Sequence, residues 1–521
     1  MHFVREKISY EVQQGAKLSE CIRAAGLVLE TPCNCVGSCG KCKVKAWGEL
    51  YPPDDFEKEF INGSNIRLAC QARVKGEVWI ELAENNKDIK TLNKGFSIDV
   101  ELDNTFQLVL SEPREILGVA IDIGTTGISA YLIDLLTGEI LNKVSSLNPQ
   151  TQYGGDVLTR ISFCIENPAG ATLLRDAIIE KINQLVINLC GHAERAGVVY
   201  HIVIAGNTTM QHLVLGVNPG SIARAPYSPV FLNQVDMKAI EAGIHINIEG
   251  RLTLLPSPSA FVGADILAGV VAAAFDKKQY PALFLDIGTN GEIVANLEGK
   301  LIATSTAAGP ALEGMNISWG CRAEEGAIDT FYIDSDFNIH YTTIGHIHPK
   351  GICGSGLIDI TAALIQKKIV LVSGRFNINL DPSLKSRLRD KKFYLTEEIY
   401  ISQTDIRQIQ LAKGAIATGV TMLLEEAGVS IEAIEEAVVA GAFGYHINPV
   451  SMLEMGLLPK GFKGKITFVG NSSVEGAHLA LINKGIMKRI NELKNSIKVV
   501  ELSTKPGFQD CFIKALSFSA D

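Results

Sequence analysis

Four cysteines constrain this chain more than any other feature. Cys33, Cys39 and Cys42 fall within TPCNCVGSCGKC with the spacing C-x5-C-x2-C, and Cys70 follows in RLACQ. Three thiolates from one tight loop and a fourth from a later strand suit a [2Fe–2S] cluster. Gly37 and Gly40 let backbone N–H groups approach the sulfurs at low steric cost. Cys35 is then the spare thiol. Zinc is the competing reading, disfavoured because zinc ribbons usually offer two close C-x2-C pairs and only one such pair stands here.

The flanking sequence supports a small β-rich unit. MHFVREKISYEVQQG reads as a strand pair around polar turn residues, and KLSECIRAAGL has apolar positions at helical spacing. VKAWGEL, NIRLACQARV and GEVWIEL supply further strands rich in β-branched and aromatic residues. Cys21 falls within the helix, where it reads as a small buried hydrophobe. The cluster loop is similar to that of adrenodoxin-like ferredoxins, and the order strand, strand, helix, loop resembles a β-grasp [2Fe–2S] ferredoxin domain over residues 1–84. ENNKDIKTLNKG lacks any apolar period and opens a linker or small connecting segment over 85–115, with a strand expected in FQLVLS.

The chain is several times longer than one such domain, and 47% hydrophobic residues leave ample material for further compact units among its 521 residues. A formal net charge of −9 and no Lys/Arg block argue against a nucleic-acid partner. The most apolar stretch, ILAGVVAAAF, is too short to span a membrane, and MHFVREKISY is not a signal peptide, so a soluble, cytoplasmic protein is expected. In that setting the eleven cysteines read as cluster ligands plus buried thiols, with no disulfide framework.

A second signal is a pair of similar segments, ILGVAIDIGTTGISAYLID from residue 116 and ALFLDIGTNGEIVANLE from residue 282. Each reads as a buried strand, an acidic tight turn and a second strand. Gly124 or Gly288 lets the turn close on a phosphate, and backbone N–H groups with the hydroxyls of Thr125, Thr126 or Thr289 donate to its oxygens; Asn290 belongs to the same turn. Asp122 and Asp286 face the Mg2+ side, one reaching the metal through water. One D-x-G-T turn is weak evidence, whereas two suit duplicated subdomains, about 116–280 and 281–521, clasping a nucleotide. EAVVAGAFGYHINP adds an apolar strand running into a turn where Gly441, Ala442 and Gly444 allow close approach to adenosine. The three elements resemble the phosphate-1, phosphate-2 and adenosine motifs of the actin, acetate kinase and sugar kinase (ASKHA) superfamily over 116–521. The fold class expected is therefore α/β multidomain.

Elsewhere, YHIVIAGNTTMQHLVLG and ITFVGNSSVEGAHLAL both run strand, Gly-Asn, hydroxyl, helix, so residues 207–210 and 471–473 are expected at equivalent places in the two halves, with Asn and Thr as helix caps. GICGSG reads as a helix start near the ligand. Trp319 reads as a ligand contact or a core residue, with nothing in the sequence to decide.

A ferredoxin unit joined to an actin-like ATPase fold resembles the reductive activators of corrinoid proteins. That resemblance rests on the cluster loop with RLACQ, on AIDIGTT, LDIGTNGE, AGNTTMQHL and GICGSGLID. It implies an ATP-hydrolysing activator that passes one electron from a [2Fe–2S] cluster to the Co(II) corrinoid of a partner protein, restoring Co(I) for methyl transfer or O-demethylation. It also implies an upstream low-potential electron donor and a homodimer. No residue is assigned as the base for hydrolysis. The alternatives are a nucleotide-dependent iron–sulfur redox sensor or chaperone-like binding protein, and an ATP-driven electron donor to another low-potential enzyme.

Overall fold

The computed structural model describes residues 1–5, 7–25, 27, 29, 40, 42–58, 60–61, 65–82, 101–102, 115–441, 447–502 and 504–518. Cys33, Cys35, Cys39, Ala442, Gly444, the FQLVLS strand and most of 85–115 lie outside these residues. The chain divides into two compact units, Met1–Lys87 with Pro149–Gly170, and Asp88–Asn148 with Ala171–Asp521.

In the first unit five strands form one sheet in the order Ile8–Ser9, His2–Phe3, Val74–Glu81, Lys43–Leu50, Ile66–Leu68. His2–Phe3 pairs parallel to Val74–Glu81 and the other neighbours pair antiparallel. Alternation sets the faces: Val44, Ala46, Val78 and Ile80 point into the core while Lys43, Lys45 and Glu77 stay exposed. The helix Leu18–Ala24 closes the core with Leu18, Cys21 and Ile22. Each such aliphatic side chain withdrawn from water contributes about 1.5–3 kcal/mol. Cys21 is thus a packing residue.

The second unit contains two six-stranded sheets of matching design. In one, Leu117–Ile123, Gly127–Asp134 and Ile140–Leu147 form an antiparallel meander. Val199–Gly206 and Arg251–Leu254 follow in parallel on the other side of Leu117–Ile123. In the other, Ala282–Ile287, Gly291–Leu297 and Lys300–Thr306 form the meander, with Glu436–Ala440 and Lys465–Gly470 added in parallel. The central strands are apolar almost throughout, as strands covered on both faces must be.

This topology corrects one equivalence expected from sequence. Lys465–Gly470 is the counterpart of Arg251–Leu254, so the helix Ser472–Ile482 matches the helix Ala264–Ala272. Asn207 follows Val199–Gly206, whose counterpart Glu436–Ala440 leads to Gly441. The repeated Gly-Asn string marks helix capping, since Asn207 accepts from the Met210 N–H and Asn471 from the Val474 N–H; it does not mark position in the repeat.

The two matched helices pack on each other through small residues. A Cβ on Gly476 would lie 2.2 Å from the Ala268 carbonyl oxygen, and one on Gly269 would lie 2.7 Å from Ser472 Oγ. The stretch containing ILAGVVAAAF is therefore largely a buried helix of the core. Among the described residues no helix is long and apolar enough to cross a membrane.

Candidate nucleotide cleft and cysteine pair

Both acidic hairpins open into one cleft of the second unit. Asp122 and Asp286 are the last residues but one of their strands, in register with Ser129 and Glu292 on the returning strands. In the first turn the Gly124 N–H donates to the Gly127 carbonyl at 2.9 Å, and a Cβ on Gly124 would stand 2.9 Å from that same oxygen. In the second, tighter turn the Gly288 N–H donates to the Asn290 carbonyl, two residues along, at 2.9 Å. Gly441, at φ 130°, occupies a backbone region that disfavours other residues. Asp122, Gly124, Thr125 and Thr126 line the cleft together with Asp286, Gly288, Thr289, Asn290 and Gly441. The structure therefore assembles every described residue of the expected nucleotide site. Gly354, at the start of the helix Gly354–Gln366, joins them. Trp319 instead packs edge-on against Tyr400, at 6.1 Å between ring centroids.

The turns are tied to each other and to the neighbouring helices. The hydroxyls of Thr126 and Thr289 are 3.1 Å apart, and Thr289 Oγ1 donates to Glu313 Oε2 at 2.8 Å. Asn207 Nδ2 donates to Thr125 Oγ1 at 3.1 Å. Asp122 is held by Asn471 Nδ2 at 3.0 Å and Ser473 Oγ at 2.9 Å, both from the start of the helix Ser472–Ile482. Tyr131 adds a further tie by donating to Glu475 Oε1 at 3.0 Å.

Sequence reasoning missed three acids that share this cleft, Asp265, Glu292 and Glu313, and one cation, Arg322. Their fields act on one another. Burial first, then Asp122 and Asp286, push the Asp265 carboxyl up to about 8. Burial, then Asp122 and Glu313, push Asp286 up to about 7. Asp122 rises only to about 6, because Asn471 and Ser473 partly offset its burial. Glu292 is raised by burial, Asp265 and Asp286, and Glu313 is raised by burial, only partly offset by Thr289 and Arg322. The one available signal was Glu292 itself, inside the quoted LDIGTNGE; Asp265 precedes an apolar run and reads as ordinary helix-start chemistry.

In the first unit, the antiparallel register Lys43↔Leu68 brings Cys42, just before one strand, beside Cys70, just after the other. The Cys70 N–H donates to Cys42 Sγ at 3.5 Å and Gln71 Nε2 donates to Cys70 Sγ at 3.4 Å. Donors aimed at both sulfurs favour thiolate character, which is the chemistry a metal–sulfur centre needs. Beneath them Glu57 accepts from Arg67 Nε at 2.7 Å, from Arg67 Nη2 at 2.8 Å and from the Leu68 N–H at 2.8 Å.

A β-grasp sheet with a cysteine pair and a duplicated sheet with two acidic hairpins in one cleft define an iron–sulfur protein of the ferredoxin type carrying an ASKHA fold. Residues 2–75 match the 2Fe-2S iron-sulfur cluster binding domain, 117–278 the RACo middle region, and 280–521 the C-terminal domain of RACo, the ASKHA domain. The corrinoid activation enzyme RamQ of Eubacterium limosum is 34% identical over 423 residues, covering 78% of this chain and 71% of that protein. The Co(II) methylated amine-specific corrinoid protein reductase of Methanosarcina barkeri is 26% identical over 434 residues, covering 77% of each. A solved reductive activator for corrinoid, iron-sulfur protein superposes with a TM-score of 0.73 at 28% identity, over 99% of this chain and 98% of that one. The chain belongs to the family of reductive activators of corrinoid proteins, which are redox enzymes.

Proposed function

We propose that the chain uses ATP to drive one-electron reduction of a Co(II) corrinoid held by a partner protein, returning it to Co(I). The observation that carries this reading is the joining, in one member of this family, of a cysteine pair with sulfur-directed donors to a cleft whose two hairpins end in paired aspartates. Cys33, Cys39, Cys42 and Cys70 hold the cluster, and the segment 85–115 links residues 1–84 to the ATPase fold. When bound, a [2Fe–2S] centre supplies a single electron at about −400 mV in plant-type proteins. An acceptor of lower potential requires free energy from nucleotide, delivered as different affinities for two conformations or partner states.

The residues of the cleft have separable tasks in this scheme. Thr125, Thr126, Thr289 and the turn N–H groups around Gly124, Gly288 and Asn290 donate to phosphate oxygens. Gly441, Ala442 and Gly444 are the residues proposed to contact adenosine. Asp122 and Asp286 would hold Mg2+, one of them through water, since this cation keeps several waters and takes one or two carboxylates. The fit to a divalent cation rests on the surplus of buried carboxylates over arginine among the described lining residues, with Asp265, Asp286 and Glu292 each pushed up further by neighbouring acids. An upstream low-potential donor recharges the cluster, the protein works in the cytoplasm, and a homodimer is the assembly proposed.

The test is anaerobic. The purified protein is reduced, a Co(II) corrinoid protein from the same organism is added, and the Co(I) absorption band is followed with and without Mg–ATP. ATP-dependent Co(I) is the expected result. An intact cluster spectrum and active ATPase without Co(I), across several corrinoid proteins, would favour the redox-sensor reading.

A further inference from the structure

The backbone delivers one acid to the phosphate turns with unusual definition. The Gly309 N–H donates to the Thr289 carbonyl at 2.8 Å, so the turn Pro310–Glu313 starts on the second hairpin itself. Gly314, at φ 78°, ends that turn, and a Cβ there would stand 2.4 Å from the Cys321 carbonyl oxygen. Arg322, next to Cys321 in the chain, also lines the cleft, and its charge acts on Glu313. Glu313 Oε1 lies 3.9 Å from the point where a Cβ would stand on Gly288, while Oε2 accepts a hydrogen bond from the Thr289 hydroxyl.

The hydrogen bonds of this wall have a direction. Thr289 Oγ1 donates to Glu313, so it accepts from Thr126 Oγ1, and both turn hydroxyls end on one carboxylate. In that arrangement Thr289 offers only lone pairs to a phosphate. A phosphate oxygen entering the turn must draw the Thr289 proton towards itself, which leaves Glu313 Oε2 with an acceptor position open. Water entering with the nucleotide can donate to that position. Among the acids lining the cleft, Glu313 is the one that combines a hydrogen bond from a turn threonine with the field of Arg322, and it is not one of the two aspartates assigned to the cation.

We propose that Glu313 positions the water that attacks the γ-phosphate of ATP and accepts its proton. The assignment rests on the nucleotide reading above. The water oxygen bonds to the γ-phosphorus as the bond from that phosphorus to the β–γ bridging oxygen breaks. ADP departs with that electron pair, and the water proton passes to Glu313 and then to solvent. Arg322 faces the charge that gathers on the transferring oxygens.

The test compares full-length wild type with Glu313→Gln, which keeps an acceptor for Thr289 but takes no proton. Phosphate release and Mg–ATP affinity are measured separately. Turnover is expected to fall by about a hundredfold or more, in the range of a lost general base, with affinity held and the acidic limb of the pH–rate profile gone. Turnover within about threefold of wild type, or loss of affinity in step with turnover, overturns the assignment. If Glu313→Gln does not fold, Glu313→Asp carries the test, with reduced turnover at unchanged affinity expected and unchanged turnover overturning it. Wild type that binds no Mg–ATP would instead overturn the nucleotide reading, and this proposal with it.

Discussion

At the scale of single residues, the cleft acids couple stability to pH. The Asp122, Asp286 and Asp265 carboxyls are pushed up to about 6, 7 and 8 in the folded chain, against an unfolded value of about 3.9. The folded state therefore binds protons that the unfolded state releases. Its contribution from these groups is complete below about pH 3.9 and is lost as pH rises through the folded values. Without cation or nucleotide, the melting temperature is expected to fall between pH 6 and pH 8. Asp265→Asn should flatten that fall, and Mg2+ should reverse it in wild type; calorimetry across the range checks both. A second residue prediction concerns the first unit, where Glu57→Ala would leave the Arg67 guanidinium buried without its carboxylate. Breaking a buried pair in this way costs about 3–5 kcal/mol, so cluster retention and the melting temperature of that unit should both drop. Neither Asp265 nor Glu57 stands out in the sequence, because an acid becomes unusual only through what is packed around it.

At the scale of elements, the decisive contact is between the helices Ala264–Ala272 and Ser472–Ile482. One carries Asp265 and the other Ser473, each as its second residue, and the helix starts converge on Asp122. A side chain at Gly476 meets Ala268 backbone atoms, which a rotamer change cannot relieve. Gly476→Ala should therefore cost about 1–3 kcal/mol through overpacking and weaken Mg–ATP binding, because the helix start that holds Asp122 would shift. Denaturant unfolding and nucleotide titration of the same variant check the two effects. Sequence periodicity indicated the hairpins and most strands, but it paired residues 207–210 with 471–473 on a shared capping string. Sheet order assigns those segments to different places in the two halves. A cap is recognised from a few contiguous residues, whereas a position in a repeat is a matter of which strand lies beside which.

At the scale of the whole molecule, the proposed function gives electron supply and nucleotide chemistry to different sets of residues. Asp286→Ala should abolish ATP-dependent formation of Co(I) while leaving the [2Fe–2S] spectrum unchanged, measured on the same anaerobic sample; unchanged activation would count against the proposed cation site. The sequence by itself determined the cysteine loop with Cys70 and the two D-I-G-T turns, and with them the ferredoxin and actin-like character of the chain. These features are legible because chelation and phosphate binding by a turn depend on residues adjacent in the chain, where spacing is geometry. Only the tertiary structure decided that Asp265, Glu292, Glu313 and Arg322 share the cleft and that Asp122 is held by Asn471 and Ser473. The field and hydrogen bonding at a buried site are sums over neighbours within a few ångströms. Those neighbours come from strands and helices hundreds of residues apart, brought together by sheet order and by helices that pack closely at Gly269 and Gly476.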